Sequence, residues 1–366
     1  MRRKLPWWQP IIGEEERKLI SKALDNNFPN EGELTIEFEK KLANLLGCKY
    51  AIAVTSGTAA MFLSLKALGI GHGDEVIVPD ITFIATANAV EMTGAKPILV
   101  DVEPNTMNMD AESFSKAITK KTKAVIPVHV SGRAANMKKI MEIAENNNLH
   151  IVEDAAEAFL SKHDGKYLGT FGRFGCFSFS PAKTITTGQG GAIATNDSKL
   201  VTRLRELKDQ GRPVRGTGGD DVHHSFGYNF KFTDLQAAIG LGQLNYVKQR
   251  TERSKRNYEL YKENLGNLEG FSLFKFDIKN GEQPQWTDAI VEKRNELDKY
   301  LADKGIGCRR FWFPIHTQAP YKMPDDKFPN STKLSPRAIW LPSSFTLSDD
   351  DVINTCSHIK EFLRKK

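Results

Sequence analysis

The stretch from Cys176 to Gly191, CFSFSPAKTITTGQGG, places one lysine in a setting that is unusual for this residue type. Lys183 follows a short apolar strand that also contains Ser178, and it precedes a glycine-rich turn. A single lysine is most often exposed and only adds solubility. The residues on either side of Lys183 are instead small or aromatic, a composition that differs from that of a polar surface helix. A nucleophilic lysine must be neutral, which favours a poorly hydrated pocket with cationic character nearby, so we interpret Lys183 as a candidate nucleophile.

A pair of carboxylates ends the apolar run LHIV, upstream of that lysine. A carboxylate at the end of a buried strand is costly unless it is paired, and a protonated pyridine nitrogen would supply such a pair for Asp154. The alternative is that Asp154 caps a helix, since two alanines follow it. Glu153 is expected to point to the opposite face of the strand, where its role would be structural.

Three segments are candidates for a phosphate site. Ser56, Gly57 and Thr58 join the run YAIAVT to an alanine-rich helix, where backbone N–H groups and the helix dipole favour an anion, although SGT is also an ordinary helix cap. Ser178 adds a hydroxyl, and Asn229 is a polar residue in an aromatic loop that is by itself better explained as a turn residue. A lysine nucleophile, a carboxylate and phosphate-binding loops are together what an enzyme needs to hold pyridoxal 5′-phosphate (PLP) as a Schiff base.

Other side chains are candidates for contacts with a cofactor ring or an anionic substrate. Phe83 follows a strand end and is suited to lie flat on a ring, although most phenylalanines at such positions pack in the core. Basic residues of two loops are candidates for binding an anionic substrate, although many loop charges are only solvated. They are Arg212, Arg215, His223, Arg309 and His316. Neither a metal-ligand histidine spacing, a Walker loop nor a serine nucleophile elbow is present, so we expect no metal site.

The composition is typical of a globular protein. The 366 residues are 40% hydrophobic and 26% charged, and their formal net charge of +6 arises from intermixed basic and acidic side chains. The sequence has no dense basic stripe with interleaved aromatics, which argues against a nucleic-acid partner, and no apolar run of the ~18 residues that cross a bilayer. The four cysteines are scattered, and the start of the chain lacks the apolar stretch of a signal peptide. We therefore expect a cytoplasmic protein with reduced thiols.

Short β-branched runs alternate with helical patterns from Cys48 to about Asp197. The predicted strands are residues 50–55, 75–79, 96–102, 123–130 and 149–154. This alternation predicts a mostly parallel sheet flanked by helices, in which ligands bind beyond the carboxyl ends of the strands. After Gly270, short extended pieces and two helices predict a smaller α+β domain. We expect an α/β fold with an N-terminal segment and large cofactor-binding domain, residues 1–250, and a small C-terminal domain, residues 251–366.

Five motifs occur in the order SGTAA, PDITFIATANAV, IVEDAAEAF, FSFSPAKTITTGQGGA and YNFKFTDLQAAIG. Together they resemble the sugar aminotransferase family called DegT/DnrJ/EryC1/StrS, fold-type I enzymes that use PLP, and the resemblance covers nearly the whole chain. It implies that Lys183 forms the Schiff base and that Asp154 pairs with the pyridine nitrogen. The further cofactor-binding residues that it implies are Ser56, Gly57, Thr58, Phe83, Glu157, Ser178 and Asn229. Many relatives carry Gln where this chain has Glu157, near the ring hydroxyl.

The resemblance also implies a reaction: transfer of an amino group from L-glutamate to a keto sugar for surface polysaccharide or glycan biosynthesis, with Lys183 moving the proton. We expect a nucleotide-linked 4-keto or 3-keto hexose, with an acidic eight-carbon keto sugar as the alternative. We also expect a homodimer with shared active sites, in which Asn229 completes the phosphate site of the neighbouring subunit. Other interpretations are a PLP-dependent sugar dehydratase or lyase and a non-catalytic regulatory protein. Dehydratase relatives replace the lysine by histidine, so Lys183 favours transamination.

Overall fold

The computed structural model of the chain describes residues 4–27, 29–213, 222–266 and 268–364. These residues form a large α/β part and a smaller C-terminal part with its own sheet. The helices are α1 Glu14–Asp25, α2 Glu33–Leu46, α3 Gly57–Ala67, α4 Ala85–Glu91, α5 Ala111–Lys116, α6 Met137–Asn146, α7 Ser198–Lys208, α8 Asp234–Leu244, α9 Val247–Leu265, α10 Arg294–Asp303, α11 Pro329–Leu334 and α12 Asp349–Arg364.

The strands follow the same chain order. They are β1 Tyr50–Val54, β2 Glu75–Pro79, β3 Lys96–Val100, β4 Thr122–Val125, β5 His150–Asp154, β6 Lys162–His163, β7 Lys166–Tyr167, β8 Phe174–Ser178, β9 Gly191–Thr195, β10 Phe271–Leu273, β11 Asp288–Val291, β12 Arg309–Arg310 and β13 Ala338–Trp340. β6 and β7 form a small hairpin, and the other strands belong to two larger sheets.

The large sheet has seven strands in the order β1-β9-β8-β5-β4-β2-β3. Its pairs are parallel except at β9, which is antiparallel to both β1 and β8. The predicted mostly parallel sheet is therefore confirmed, and five of its strands overlap the predicted runs. β9 is not among those runs, because three of the five residues of GAIAT are glycine or alanine, which are depleted in strands.

Helices cover both faces of this sheet, as β1 shows. Ile52 and Val54 are buried in the core that contains the apolar residues of α3. Ala51 and Ala53, which alternate with them, lie in a second core with residues of α2 and α8. Because the sheet is buried on both sides, its polar side chains are concentrated at the ends of its strands, which is where a ligand has access.

The C-terminal part is built on an antiparallel sheet in the order β10-β11-β13-β12, which confirms the predicted second α+β unit. Its core includes Tyr261 of α9 together with residues of α10 and α12. The predicted domain boundary, between residues 250 and 251, falls inside the continuous helix α9. Leu5 also lies in this core and pairs with Ile306, whereas the indole N–H of Trp8 donates to the Pro181 carbonyl of the large part, so the start of the described chain contacts both parts.

None of the helices in the described ranges is both long and apolar enough to span a bilayer.

Candidate active site

A cavity of about 280 Å³ lies beyond the carboxyl ends of the large sheet. Segments that follow β1, β2, β5 and β8 supply most of its wall, and the C-terminal part adds Trp286, Arg309 and Trp312. Because β1, β2, β5 and β8 run in one direction, their carboxyl ends meet at the same edge of the sheet. The predicted site residues that line the cavity are Ser56, Gly57, Thr58, Phe83, Asp154, Glu157, Ser178, Lys183 and Arg309.

Lys183 projects into this cavity from the loop between β8 and β9. A turn fixes its backbone, since its N–H donates to the Ser180 carbonyl over 3.1 Å. The side chain is only 13% exposed, and Nζ lies 3.3 Å from Oε1 of Glu157. Nζ also lies 4.8 Å from the ring centroid of Trp286, which supports a cation by its π face. The lysine side chain is therefore largely screened from solvent.

Asp154 ends β5 and is 6% exposed. Its Oδ2 accepts the Thr86 hydroxyl over 2.8 Å, and its Oδ1 accepts the Ala156 N–H over 3.1 Å. Burial raises the pKa of Asp154 above its ordinary value, against the opposing effects of these hydrogen bonds and of Lys183. No helix follows the residue in the structure, so the alternative interpretation of Asp154 as a helix cap is wrong. Its carboxylate is available to a cation in the cavity.

Glu153, the neighbouring residue, lies on the other face of β5, as predicted. It is completely buried, and its carboxylate accepts N–H groups of Gly169 and Gly172, each over 2.7 Å. His129 Nε2 lies 3.0 Å from the same group. Glu153 therefore anchors the loop before β8 and has a structural role.

Glu157 is a second buried carboxylate in the cavity. While Oε1 faces Lys183, Oε2 accepts the backbone N–H of Ser131 over 2.9 Å. Burial raises the pKa of Glu157 and the negative charge of Asp154 adds to the effect, whereas Lys183 and the Ser131 N–H oppose it. The carboxylate thus connects the lysine to a backbone turn outside the cavity.

The turn at residues 56–58 forms a second side of the cavity. Ser56 caps α3, because its Oγ accepts the Ala59 N–H over 3.1 Å, so the helix-cap interpretation also holds. A Cβ at Gly57 would lie 3.0 Å from the Cβ of Ser178, and one at Gly191 would lie 2.5 Å from the carbonyl of Ser56. Glycine at both positions therefore lets the start of α3, the end of β8 and the start of β9 approach closely. Backbone N–H groups at a helix start beside two hydroxyls suit a phosphate.

Phe83 is 54% exposed and lines the cavity, so it is not a core residue. On the side of the C-terminal part, the guanidinium of Arg309 lies over the rings of Trp7 and Trp340, with its Cζ 4.9 and 5.5 Å from their centroids. The two indoles hold the charge at the edge of the cavity by cation–π contacts. An aromatic face and a supported cation are thus both available to a ligand.

Four predicted residues lie away from this cavity, and a fifth cannot be placed. His316, predicted as a substrate-binding residue, is completely buried with its Nδ1 2.6 Å from Oδ2 of Asp80, and it does not line this cavity. Asn229 and His223 are exposed and absent from the cavity wall, and Arg212 borders a different cavity. Arg215 lies outside the described residues.

The sequence-based prediction omits several residues of the site, and three of them bear on its chemistry. Thr86, whose hydroxyl donates to Asp154, lies in the first turn of α4 within PDITFIATANAV, and its position three residues after Phe83 is the sequence signal that marks it. Trp286 and Trp312 come from the C-terminal part, and nothing in their local sequence marks them. Within the described ranges no group of three or more metal-ligating side chains occurs.

Comparison with known proteins assigns the chain to a family. The sequence pattern of the DegT/DnrJ/EryC1/StrS aminotransferase family matches residues 10–360, and the chain belongs to this family. GDP-perosamine synthase of Escherichia coli O157:H7 is 40% identical over 367 residues, which cover 99% of each protein. Among solved structures, a family member from Brucella abortus has a TM-score of 0.90 at 33% identity and 95% coverage of both chains. Spr1654 from Streptococcus pneumoniae in its PLP form has a TM-score of 0.94 at 25% identity and 99% coverage of both.

The family match also gives the chemical class. The DegT aminotransferases depend on PLP, and the chain is a PLP-dependent aminotransferase.

Proposed function

We propose that this enzyme transfers an amino group from L-glutamate to a nucleotide-linked keto hexose, and that Lys183 and Asp154 are its catalytic residues. The observation that supports this most directly is that one cavity holds a poorly exposed lysine amine, a buried carboxylate and the glycine-containing turn at residues 56–58. These are the three groups that PLP requires: an amine for its aldehyde, an anion for its ring nitrogen and donors for its phosphate.

The residues present fit the cofactor. The turn at residues 56–58 and Ser178 would hold the phosphate, because a glycine and a helix start leave backbone N–H groups accessible there. Asp154, whose buried carboxylate accepts hydrogen bonds from Thr86 and Ala156, would pair with the protonated ring nitrogen. Phe83 offers an exposed aromatic face for stacking, and Glu157 would lie near the ring hydroxyl. When bound, PLP supplies an electron sink that stabilises negative charge on the carbon that loses its proton.

The proton chemistry falls to Lys183 and its partner. Once its amine is free, Lys183 removes a proton from the Cα of the amino donor and later returns one to the keto carbon of the sugar. Glu157 holds the amine 3.3 Å from its own carboxylate, which limits where Nζ can move. Trp286 covers the amine on another side and reduces its contact with water.

An anionic substrate is favoured by Arg309, the cation that the C-terminal part adds to the cavity wall. Its guanidinium is exposed at the cavity edge and supported by two indoles, and it would bind the phosphates of a nucleotide-linked sugar. The 40% identity to GDP-perosamine synthase makes a GDP-linked sugar the first choice. An acidic eight-carbon keto sugar would present a carboxylate to the same arginine and is the second candidate.

We extend the proposal to a homodimer with shared active sites. Asn229 is exposed and outside the cavity of its own chain, where its backbone pairs with that of Asp209. In a dimer its amide would complete the phosphate site of the partner. Isolated chains would then bind PLP less tightly than assembled ones.

The proposal is tested by incubating the PLP-loaded enzyme with L-glutamate and a panel of keto sugars linked to GDP, dTDP or UDP, together with acidic keto sugars. Mass spectrometry detects the amino sugar and 2-oxoglutarate. We expect both products in equal amounts with a GDP-linked substrate and none with Lys183→Ala. Product without glutamate would indicate a lyase or dehydratase, and no product from any sugar would support a non-catalytic protein.

A further inference from the structure

The segment 283–288, which leads into β11 of the C-terminal part, contacts two separate segments that hold active-site side chains in place. One is the turn at residues 130–133, which precedes α6, and the other is the loop that carries Lys183. The first contact lies outside the cavity, whereas the second includes Ala182, which lines it. Both act on groups that face each other across the cavity, the Lys183 amine and the Glu157 carboxylate.

Ser131 is the centre of the first contact. It is completely buried and adopts the left-handed conformation with φ 55°, which is uncommon for serine. Each of its polar groups is engaged: N–H donates to Glu157 over 2.9 Å, the carbonyl accepts the Gln285 N–H over 2.9 Å, and Oγ donates to Asp288 over 3.0 Å. The indole N–H of Trp340 donates to the same Oγ over 3.0 Å. The N–H that fixes Glu157 is therefore itself fixed by the C-terminal sheet.

The surroundings make this turn rigid. Asp288 forms a fully buried, bidentate ion pair with Arg133, at 2.6 and 2.8 Å. The Arg133 guanidinium lies between the rings of Phe274 and Phe276, with centroids at 4.8 and 4.9 Å. A side chain at Gly132, which has φ 99°, would overlap the backbone carbonyl of residue 283. The turn cannot shift without moving β11, because breaking a buried ion pair is strongly destabilising.

Gln285 provides the second contact. Its side-chain oxygen accepts the Thr184 hydroxyl over 3.2 Å, and its amide nitrogen donates to the Ala182 carbonyl over 3.3 Å. These are the two residues that flank Lys183. One glutamine thus holds both sides of the lysine with its side chain while its backbone N–H holds Ser131.

We propose that segment 283–288 sets the separation between the Lys183 amine and the Glu157 carboxylate, with Ser131 and Gln285 as positioning residues. This inference rests on the role proposed for Lys183, since that role gives the separation its importance. The C-terminal part then does more than close the cavity: its placement determines how strongly Glu157 holds the lysine amine, and so how readily that amine reacts.

The test measures the reactivity of Lys183 in the full chain prepared without PLP. The probe is trinitrobenzenesulfonate at about pH 8, and peptide mass spectrometry gives the modification rate of Lys183. Asp154 and Glu157 are the acidic groups that act on this amine, and Arg309 lines the same cavity. Glu157→Gln removes the carboxylate that holds the amine and should raise the rate about tenfold, as expected for a charge-assisted hydrogen bond.

A double-mutant cycle then isolates the positioning effect. Ser131→Ala should raise the rate about fivefold when Glu157 is present and less than about twofold in the Glu157→Gln background, because contacting groups couple. Gln285→Met, which keeps the backbone N–H, should behave in the same way. Ser131→Gly adopts the positive φ without strain and is the second variant if Ser131→Ala does not fold.

Ser161→Ala is the matched control. Ser161 is also a completely buried serine that joins the two parts, since its Oγ donates to the Gly132 carbonyl over 2.6 Å and accepts the N–H of residue 283 over 3.0 Å. It does not touch Glu157, so its loss should change the rate less than about twofold. Equal effects of Ser131→Ala in both backgrounds, or an effect no larger than that of Ser161→Ala, would overturn the inference. The proposed function is judged separately, by turnover of Lys183→Ala.

Discussion

Thr86 of α4 donates its hydroxyl to Oδ2 of Asp154 over 2.8 Å and so joins a helix to the end of β5 at the cavity wall. Thr86 is itself 2.8 Å from the hydroxyl of Thr82, which forms part of the same wall. These neutral hydroxyl groups orient the Asp154 carboxylate without neutralising it. A cation bound beside Asp154 would compensate the cost of burying the charge of this carboxylate.

Asp154→Asn should have opposite effects on stability and activity. The variant removes a buried charge, so the free energy of unfolding of the cofactor-free chain should rise by about 1–2 kcal/mol. Turnover should fall about 10²–10³-fold, because an amide cannot stabilise a protonated ring nitrogen. Denaturant unfolding and steady-state kinetics measure the two effects. Glu153→Gln is the control on the same strand, and it should only destabilise, since Glu153 accepts two buried N–H groups. Loss of stability in both variants would contradict the prediction.

The stability of the cofactor-free chain should decrease as the pH increases, because two buried carboxyl groups lose their protons. Burial raises the pKa values of Asp154 and Glu157 above their ordinary values of 3.8 and 4.5. The folded chain therefore retains protons that the unfolded chain releases. The stabilisation that these protonated carboxyls provide is complete at a pH below the ordinary pKa values, and it is lost as the pH rises through the raised pKa values of the folded chain. The double variant Asp154→Asn/Glu157→Gln lacks both titrating groups. Its free energy of unfolding minus that of the unmutated protein should therefore increase from pH 4 to pH 8. A difference that stays constant or shrinks would refute this assignment of the shifts.

Gly191→Ala should disrupt the phosphate side of the cavity. The new Cβ would lie 2.5 Å from the carbonyl of Ser56 and 2.7 Å from the N–H nitrogen of Gly57, so the turn at residues 56–58 must move. We expect a loss of about 1–3 kcal/mol in stability, as for overpacked cores, and PLP affinity at least about tenfold weaker. Fluorescence titration with PLP measures the affinity. Gly71→Ala is the control, because its Cβ would make only an ordinary 3.5 Å contact. Equal PLP affinity in the two variants would exclude close approach as the reason for this glycine.

Arg309→Ala should raise KM for the sugar substrate about 10–100-fold with kcat changed by less than about threefold, the expected result of losing one charged contact made before and during the reaction. The adjacent Arg310→Ala provides the control. Arg310 is also exposed, but its Nε donates to Asp298 over 2.8 Å and it does not line the cavity. A fall in kcat with unchanged KM for Arg309→Ala would mean that the arginine acts on the reacting atoms and not on substrate binding.

The sequence was sufficient to predict the features that depend on local pattern. The strand EVIVP has its predicted bounds, Glu75–Pro79, because its residues alone determine a buried strand. Lys183 and Asp154 were identified as a pair because each ends or follows an apolar run, and strands of one direction place such residues at one edge. Family resemblance then assigned roles that spacing alone left open.

The remaining features depend on contacts between distant segments. His316 is a basic residue beside an aromatic run, but it is completely buried, and its Nδ1 lies 2.6 Å from Oδ2 of Asp80, a residue far earlier in the chain. Ser131 carries no local sign of importance, since its four contacts come from Glu157, Gln285, Asp288 and Trp340. Such residues become visible only when the packing of the two parts is known.

The covalent bond between Lys183 and PLP is the central claim, and borohydride reduction of the PLP-loaded enzyme tests it most directly. Reduction makes the bond permanent, and peptide mass spectrometry then identifies the modified residue. We predict one phosphopyridoxyl group per chain, carried by the peptide that contains Lys183, and none in Lys183→Ala. A modified lysine elsewhere in an active enzyme, or activity without any modified lysine, would contradict the account.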